Sequence, residues 1–363
     1  MGGCPAGGAG TDTIFLPGNP SPYQVAGTKG ENAARAGDLD ILDSVIIIGA
    51  GPSQTIVAGL KTDRIFHLIN LSTKLVRIQN MRITGGDGEL HGGAIYNQGS
   101  RLELERVTLS GNHATTTGGG VSSTISAYGP YLMIKNSTVT LNTSESGGGV
   151  YSEGNLQIEA SLIVENTAYD VGGGIDNNAQ PGYHGVMVNS TISNNIAPAG
   201  AGIVVPGPME IYSSTISDNS GVGVLVQQFG TLTFKNTIIA SHSPSANCQS
   251  ESTSPSALVS GGNNLADDTV ANSCFLSDSD PLYDVLADPR LLGLADNGGP
   301  TKTFALRDPD SDPPSPAVDA GSSTDCPPSD QRGYGRPGGA RCDIGAFEFG
   351  GTLFLNYLPI IFR

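Results

Sequence analysis

A glycine-punctuated repeat constrains the fold of this chain more than any other feature. Residues 92–121 read GGAIYNQGSRLELERVTLSGNHATTTGGGV: a glycine cluster, an apolar residue, a turn and then an alternating run that leads to the next glycine cluster. The first apolar residue after each cluster recurs at intervals of 26, 29, 25, 28 and 21 residues, in the series Ile95, Val121, Val150, Ile175, Ile203 and Val224. Periods of this size indicate a solenoid.

Each cycle contains two strand-like runs, a short one after the glycine cluster and a longer alternating one. The longer runs are Leu102–Leu109, Leu132–Val139, Leu156–Val164, Val186–Ile192, Met209–Ile216 and Leu232–Ile239. Alternation with period two puts aliphatic side chains on one face and polar side chains on the other, and helical periodicity is absent from the sequence. The pattern predicts an all-β, right-handed, single-stranded parallel β-helix. Its predicted core holds Ile95, Leu104, Val121, Ile134, Val150, Ile158, Ile175, Val188, Ile203, Ile211, Val224 and Leu232.

An asparagine recurs just after the long run in five successive repeats, at Asn112, Asn142, Asn166, Asn195 and Asn219. One interpretation is an internal ladder, in which each amide bonds to the next and to the turn backbone. The other is that asparagine is only a common turn residue. Its constant phase relative to the strand favours the ladder, and neither interpretation is catalytic.

The chain divides into four predicted segments. Residues 1–44 form an N-terminal strand and cap, 45–243 the parallel β-helix repeats, 244–349 a loop-rich region, and 350–363 an apolar tail. A cap is expected because the terminal coil of a solenoid otherwise exposes apolar side chains and a strand edge.

Four of the five cysteines follow the repeats, and none forms a CxxC pair, which argues against a zinc or redox motif. Nearest-neighbour pairing gives Cys248–Cys274 and Cys326–Cys342, two disulfides that would staple the loop-rich region in an oxidising, extracellular setting. Three alternatives stay open for Cys4: a free thiol, a bond to another chain, or a partner upstream of this sequence.

The formal net charge is −16 and the isoelectric point is about 4.5. This charge argues against nucleic-acid binding, which needs clustered lysine and arginine. It also disfavours an anionic polysaccharide as a substrate unless calcium bridges the charges. The sequence predicts no cofactor and no metal site; calcium stays open, but no specific motif indicates it. No run is long and apolar enough for a membrane-spanning helix.

The tail is too apolar to remain in water, and its large side chains are Leu353, Phe354, Leu355, Tyr357, Leu358, Ile360, Ile361 and Phe362. We predict that it pairs as a strand with a β-helix edge, on its own chain or on a neighbouring copy. Pro359 lacks an N–H group and therefore suits an edge strand.

Four C-terminal motifs, Asn297–Thr301, Ser315–Gly321, Asp330–Gly333 and Cys342–Glu348, resemble the choice-of-anchor Q domain of bacterial surface and secreted β-helix proteins. The Cys-Ser-Leu-Arg-Glu-Ala motif that often lies upstream in such proteins is missing. The resemblance implies an extracellular or cell-surface bacterial β-helix, and it implies no established reaction.

The sequence therefore predicts a non-catalytic structural protein, adhesive or self-assembling, with surface glycans or further copies of itself as partners. The alternative is a carbohydrate-active β-helix enzyme, because a lyase or a glycosidase needs acidic side chains near a basic group or near each other. Candidates for such chemistry are Asp267, Asp268, His184 and His91, together with Asp170 and Asp176, which we interpret as corner residues beside a glycine cluster.

Overall fold

A computed structural model of the protein describes residues 10–26, 37–69, 74–125, 129–240, 245–267, 273–274, 276 and 283–353. Every regular element within these ranges is a strand. Among the described residues, no helix could cross a membrane. The all-β prediction is confirmed.

The described strands are β1 Asp12–Leu16, β2 Tyr23–Val25, β3 Leu39–Ile41, β4 Val45–Gly49, β5 Ile56–Gly59, β6 Phe66–Ile69, β7 Leu75–Thr84, β8 Asp87–Gly88, β9 Ile95–Gln98, β10 Arg101–Ser110, β11 His113–Ala114, β12 Val121–Thr124, β13 Tyr131–Lys135, β14 Thr138–Thr140, β15 Thr143–Ser146, β16 Val150–Ser152, β17 Asn155–Glu159, β18 Leu162–Val164, β19 Thr167–Val171, β20 Ile175–Asn177, β21 Gly185–Val188, β22 Thr191–Ser193, β23 Ile203–Val205, β24 Pro208–Tyr212, β25 Thr215–Ser217, β26 Val224–Val226, β27 Thr231–Lys235, β28 Ile238–Ala240, β29 Cys248–Ser250, β30 Leu258–Ser260, β31 Leu265–Ala266 and β32 Val285–Leu286.

These strands form a parallel β-solenoid, in which each strand pairs in parallel with its counterpart one coil later. Sheet 2 shows the repeat directly, because Ile95, Val121, Val150, Ile175, Ile203 and Val224 lie side by side in one register. Its strands are β3, β6, β9, β12, β16, β20, β23, β26 and β29. Sheet 3 is a short strip of β8, β11, β15 and β19, and the remaining strands form sheet 1.

The long alternating run is two strands in most coils, whereas the sequence indicated one. A corner residue with left-handed backbone separates them, with φ between 45° and 51° at Asn136, Ala160, Asn189, Ser213 and Asn236. In β7 and β10 the pairing continues through the corner. Sheet 1 therefore has two rows, a first row that includes β13, β17, β21, β24 and β27, and a second row that includes β14, β18, β22, β25 and β28.

Parallel pairing extends beyond the predicted 45–243 range at both ends. Strand β1 already pairs with β4, and β29, β30, β31 and β32 continue the coils to Leu286. The accumulation of serine and proline after residue 243 thus marks less regular corners and not the end of the solenoid.

The solenoid interior holds the predicted aliphatic core with one exception. Eleven of the twelve predicted side chains are buried, but Val188 is half-buried and faces outward. Met187 fills the interior position instead, since it pairs with Ile158 on one side and Ile211 on the other. The run Val186-Met-Val188 is apolar in both phases, so alternation alone could not assign its inner face.

Residues 287–353 pack along the outside of the second row. In β28, Ile239 belongs to the solenoid core, whereas Ile238 and Ala240 face outward and pack with a cluster that includes Leu306 and Ile344. Hydrogen bonds join the two parts at several coils, including Ala346 N to Thr215 Oγ1 (3.0 Å). The C-terminal region is thus a lateral layer on the solenoid, and sheet 2 lies on a different face.

Candidate functional site

The five asparagines of the predicted ladder are buried and lie in one row at the turn after the second row of sheet 1. From Asn142 onward, each Oδ1 accepts two hydrogen bonds from the asparagine one coil earlier, as Asn166 does from the backbone N (3.1 Å) and Nδ2 (3.0 Å) of Asn142. The same contacts join Asn112 to Asn142, and Asn166 through Asn195 to Asn219, at 2.9–3.0 Å. The row joins successive coils through side-chain amides.

A second polar row, which the sequence analysis missed, lines the corner between the two rows of sheet 1. Ser161 Oγ accepts from Ser137 N (3.1 Å) and donates to Glu159 O (2.8 Å). The members are Ser137, Ser161, Ser190, Ser214 and Thr237. Its signal in the sequence is a serine or threonine directly after each left-handed corner residue. Two of these positions, Ser137 and Ser190, lie inside Asn-x-Ser/Thr triplets.

The outer face of sheet 2 carries a row of side chains that includes ionisable residues, the candidates for acid–base or metal-binding roles. Period-two alternation points one residue of each strand outward, and register aligns Asp40, His67, Tyr96, Ser122, Tyr151, Asp176, Val204 and Leu225 in a row. Most of this outer row is buried because the glycine turns cross over it. Gly172 (φ 66°) comes so close that a Cβ there would lie 3.0 Å from Val204 Cγ1.

Asp176 is a buried carboxyl group in the outer row. It is 5% exposed, and its Oδ1 has no hydrogen-bond partner among the described residues. Burial, and then the nearby charges of Glu153 and Asp170, raise the pKa of Asp176 to about 7. Near neutral pH this carboxyl can therefore both hold and release a proton, a property common at functional sites.

The neighbours of Asp176 form a hydrogen-bonded group. Tyr151 Oη donates to Glu153 Oε1 (3.0 Å) and accepts from Asn178 Nδ2 (2.7 Å). Ile125 N donates to Glu153 Oε2 (2.8 Å), which fixes the carboxylate. Burial raises the pKa of Tyr151, so the phenol remains a neutral hydrogen-bond donor. The hydrogen bonds therefore fix the Tyr151 phenol and the Glu153 carboxylate beside Asp176.

The predicted catalytic candidates do not all meet at this face. Asp176 is the second residue of β20 and Asp170 lies within β19, so neither occupies the corner itself. His91 Nδ1 lies 2.8 Å from Thr117 Oγ1, which is 2.9 Å from Ser122 Oγ in the outer row.

The remaining candidates lie elsewhere. His184 is on the exposed turn before β21, and its backbone N donates to Asn155 Oδ1 (3.2 Å). Asp267 follows β31 and accepts from Asn247 Nδ2 (2.9 Å). Asp268 lies outside the described residues. The order of acids and histidine along the chain could not reveal Glu153, whose place follows only from the coil register.

A cleft of about 320 Å³ opens at the N-terminal end of the outer row, and its lining includes Arg64, His67, Glu89, His91 and Tyr96. His67 stacks on Tyr96 with ring centroids 5.0 Å apart. In the part of the chain that the structure describes, one group of side chains could hold a metal ion: Asp38, Asp40 and His67.

The cysteines and the tail complete the predicted sites. Disulfides join Cys248 to Cys274 and Cys326 to Cys342. Cys4 lies outside the described residues, as do seven of the eight tail side chains, Phe354 to Phe362. Leu353 is described; it is 56% exposed and pairs in an antiparallel bridge with Tyr334.

The C-terminal motifs build a buried ionic network. Arg336 Nη1 lies 3.1 Å from Glu348 Oε2, and both side chains are completely buried. Arg332 Nη2 lies 2.7 Å from Asp330 Oδ2, and its guanidinium covers the Phe347 ring at 3.6 Å. These motif residues therefore organise the interior of the lateral layer.

No protein-family model, curated protein or solved structure matches this chain. The resemblance to choice-of-anchor Q domains stays a prediction, and the functional assignment rests on the geometry.

Proposed function

We propose that the protein is a non-catalytic, extracellular structural rod that assembles head to tail at the cell surface. The observation that carries this proposal is the apolar surface at the two ends of the solenoid. A parallel solenoid has two non-identical ends, so contact between them is heterologous and builds a filament rather than a closed dimer.

The N-terminal end exposes large apolar side chains beside an edge strand. Ile14 on β1 and Leu39 on β3 are each 45% exposed, and both stand at the head of interior columns, because Ile14 pairs with Ile47 and Leu39 pairs with Phe66. Next to them is a cavity of about 480 Å³ whose lining includes Val25 and Phe66. Among the described strands β1 pairs with β4 alone, so its other edge can accept a further strand.

The C-terminal end of the solenoid also exposes apolar surface. On β32, the last described strand of the coil pairing, Leu286 is 55% exposed. An end-to-end contact would bury this side chain against the N-terminal end of the next copy. Each large apolar side chain so buried contributes roughly 1.5–3 kcal/mol before ordering costs.

The remaining features support a structural, extracellular role. The asparagine and serine rows join the coils internally, and the two disulfides are compatible with an oxidising environment. A bacterial surface location, and surface glycans as ligands of the lateral faces, follow only from the resemblance and belong to this proposal.

Electron microscopy and light scattering test the assembly. The wild-type protein is expected to form filaments or concentration-dependent oligomers, and Ile14→Asp should give single rods because it places a charge at the contact. Phe229→Asp is the matched control, since Phe229 is 86% exposed on the turn after β26, at the side of the rod. Single wild-type rods at all concentrations would contradict the proposal.

A carbohydrate-active enzyme is the second candidate, favoured by one observation. Asp176, with a pKa of about 7, lies near the Glu153 carboxylate on one face, and glycosidases use a protonated carboxyl with a carboxylate.

Neutral and uronic-acid polysaccharides, with and without calcium, are the substrates to test. The non-catalytic proposal expects no release of reducing or unsaturated ends. Turnover that is lost in Asp176→Asn and kept in Glu210→Gln, a change on the sheet 1 face, would establish the enzyme instead.

A further inference from the structure

We infer that Asp38, Asp40 and His67 form a binding site for a divalent transition-metal ion such as Zn²⁺, which joins the first coil to the second. Asp38 and Asp40 are two residues apart around the start of β3, so period-two alternation points both side chains to the same face. His67 lies on β6 directly opposite Asp40 in the parallel register. The three ligands therefore come from neighbouring coils.

The distances between the donor atoms fit a tetrahedral ion. His67 Nδ1 lies 3.4 Å from Asp40 Oδ1 and 3.9 Å from Asp38 Oδ2, and all three ligand atoms lie within 4.8 Å of one another. Metal–donor distances of about 2.0–2.2 Å at tetrahedral angles separate donor atoms by about 3.3–3.6 Å. Small side-chain adjustments would bring the three atoms to one ion.

His67 is an independent indication of a missing partner. It is 5% exposed, and neither of its ring nitrogens has a hydrogen-bond partner among the described residues. Buried polar atoms are nearly always satisfied, and an imidazole normally bonds through at least one nitrogen. Its stacking on Tyr96 holds the ring plane with Nδ1 directed to the two carboxylates.

The donor set selects the class of ion. One imidazole and two carboxylates suit Zn²⁺, Mn²⁺ or Fe²⁺, whereas Ca²⁺ prefers six to eight oxygen ligands. Arg64 Nε lies 3.3 Å from Asp38 Oδ2, so its charge compensates part of the two carboxylates in the metal-free state. Three protein ligands leave a fourth position, which water can fill.

The test measures metal binding by the full chain in a Cys4→Ser background, which removes the one cysteine outside the two disulfides. After chelator treatment, Zn²⁺ is titrated against a chromophoric chelator, and Co²⁺ is added as a spectroscopic probe. One equivalent of Zn²⁺, and the visible absorption of tetrahedral Co²⁺, are expected. His67→Gln and Asp40→Asn should weaken binding at least tenfold.

His113→Gln is the matched control, because His113 is half-buried on sheet 3 and bonds to Thr143 Oγ1 (2.9 Å). It should bind Zn²⁺ as the parent chain does. Zn²⁺ should also raise the melting temperature of the parent and of His113→Gln, but not of His67→Gln.

Equal Zn²⁺ affinity in the parent and in His67→Gln would overturn the proposal, as would a parent chain that binds neither ion. If circular dichroism shows that His67→Gln is unfolded, X-ray absorption of the Zn²⁺-loaded parent decides instead. One imidazole nitrogen and two carboxylate oxygens in the first coordination sphere support the site, and any other ligand set refutes it.

Discussion

The Nδ2 and backbone N atoms of Asn142 both donate to a single atom, Oδ1 of Asn166, at 3.0 and 3.1 Å. Asn166 then repeats the arrangement with Asn195. Since Nδ2 of Asn166 also donates to Val139 O (2.9 Å), one side chain fixes the turn of its own coil, the turn of the preceding coil and a strand carbonyl.

Asn166→Ala should be among the most destabilising single changes in the chain. It leaves the backbone N of Asn142 buried without its acceptor, at about 1–3 kcal/mol, and it removes the hydrogen bonds from Nδ2 to Val139 O and Val164 O. A loss of about 3–5 kcal/mol in the free energy of unfolding is expected from denaturant titration. Asn194→Gly, at an exposed position of the equivalent turn one coil later, should change it by less than about 1 kcal/mol; equal effects would contradict the structural role of the row.

Asp176 should lower stability as the pH rises. Its pKa is about 7 in the folded chain and about 3.9 in an unfolded one, so between these values the folded state holds the extra proton. The contribution of Asp176 to the free energy of unfolding is therefore greatest below about pH 4. It falls by about 1.4 kcal/mol per pH unit between pH 4 and pH 7 and is constant above pH 7.

Asp176→Asn removes that loss. The variant should gain stability over wild type on the order of 4 kcal/mol at pH 8 and little at pH 4. Chemical denaturation at the two pH values measures this difference. An equal difference at both would show that the carboxyl does not titrate in this range.

Met187 and Val188 give a matched pair for the inner face of β21. Met187→Ala should cost about 2–4 kcal/mol because it opens a cavity in the solenoid core. Val188→Ala should cost less than about 1 kcal/mol, since its side chain faces outward. Denaturation midpoints of the two variants test the register, and the reverse order would indicate a slip by one residue.

The two disulfides should be found by mass mapping of non-reduced peptides. The loops that they close span 26 and 16 residues, for which chain-entropy arguments give about 3–4 kcal/mol each. Reduction should therefore lower the melting temperature. Free thiols at all four positions in protein from an oxidising compartment would contradict the pairing and weaken the extracellular assignment.

Most of the solenoid could be predicted from the sequence because its signal is periodic. The column from Ile95 to Val224 appears in the residue intervals, and each glycine cluster marks a turn. The split of the long run could not be predicted, since left-handed corners occur at Asn136 and Asn189 but also at Ala160, where no residue preference marks them.

The candidate sites were less accessible from the sequence. No glycosidase or lyase pattern along the chain contains both Asp176 and Glu153, and only the pairing between coils places them on one face. The same holds for His67, which meets Asp40 through strand register across 27 residues, the difference between 67 and 40. Coils with uneven loops hide such contacts, because equivalent positions are not equally spaced.

The lateral layer changes how force would pass through the rod. Repeats in a solenoid contact only their neighbours, so a pull on one end separates coils singly. Here Thr191, Thr215 and Asn263, each on a different coil, are hydrogen-bonded to Gln331, Ala346 and Ala320. Optical-trap unfolding from the N-terminus should therefore begin with small steps. It should end in one large rupture, because the C-terminal coils unfold together with the lateral layer.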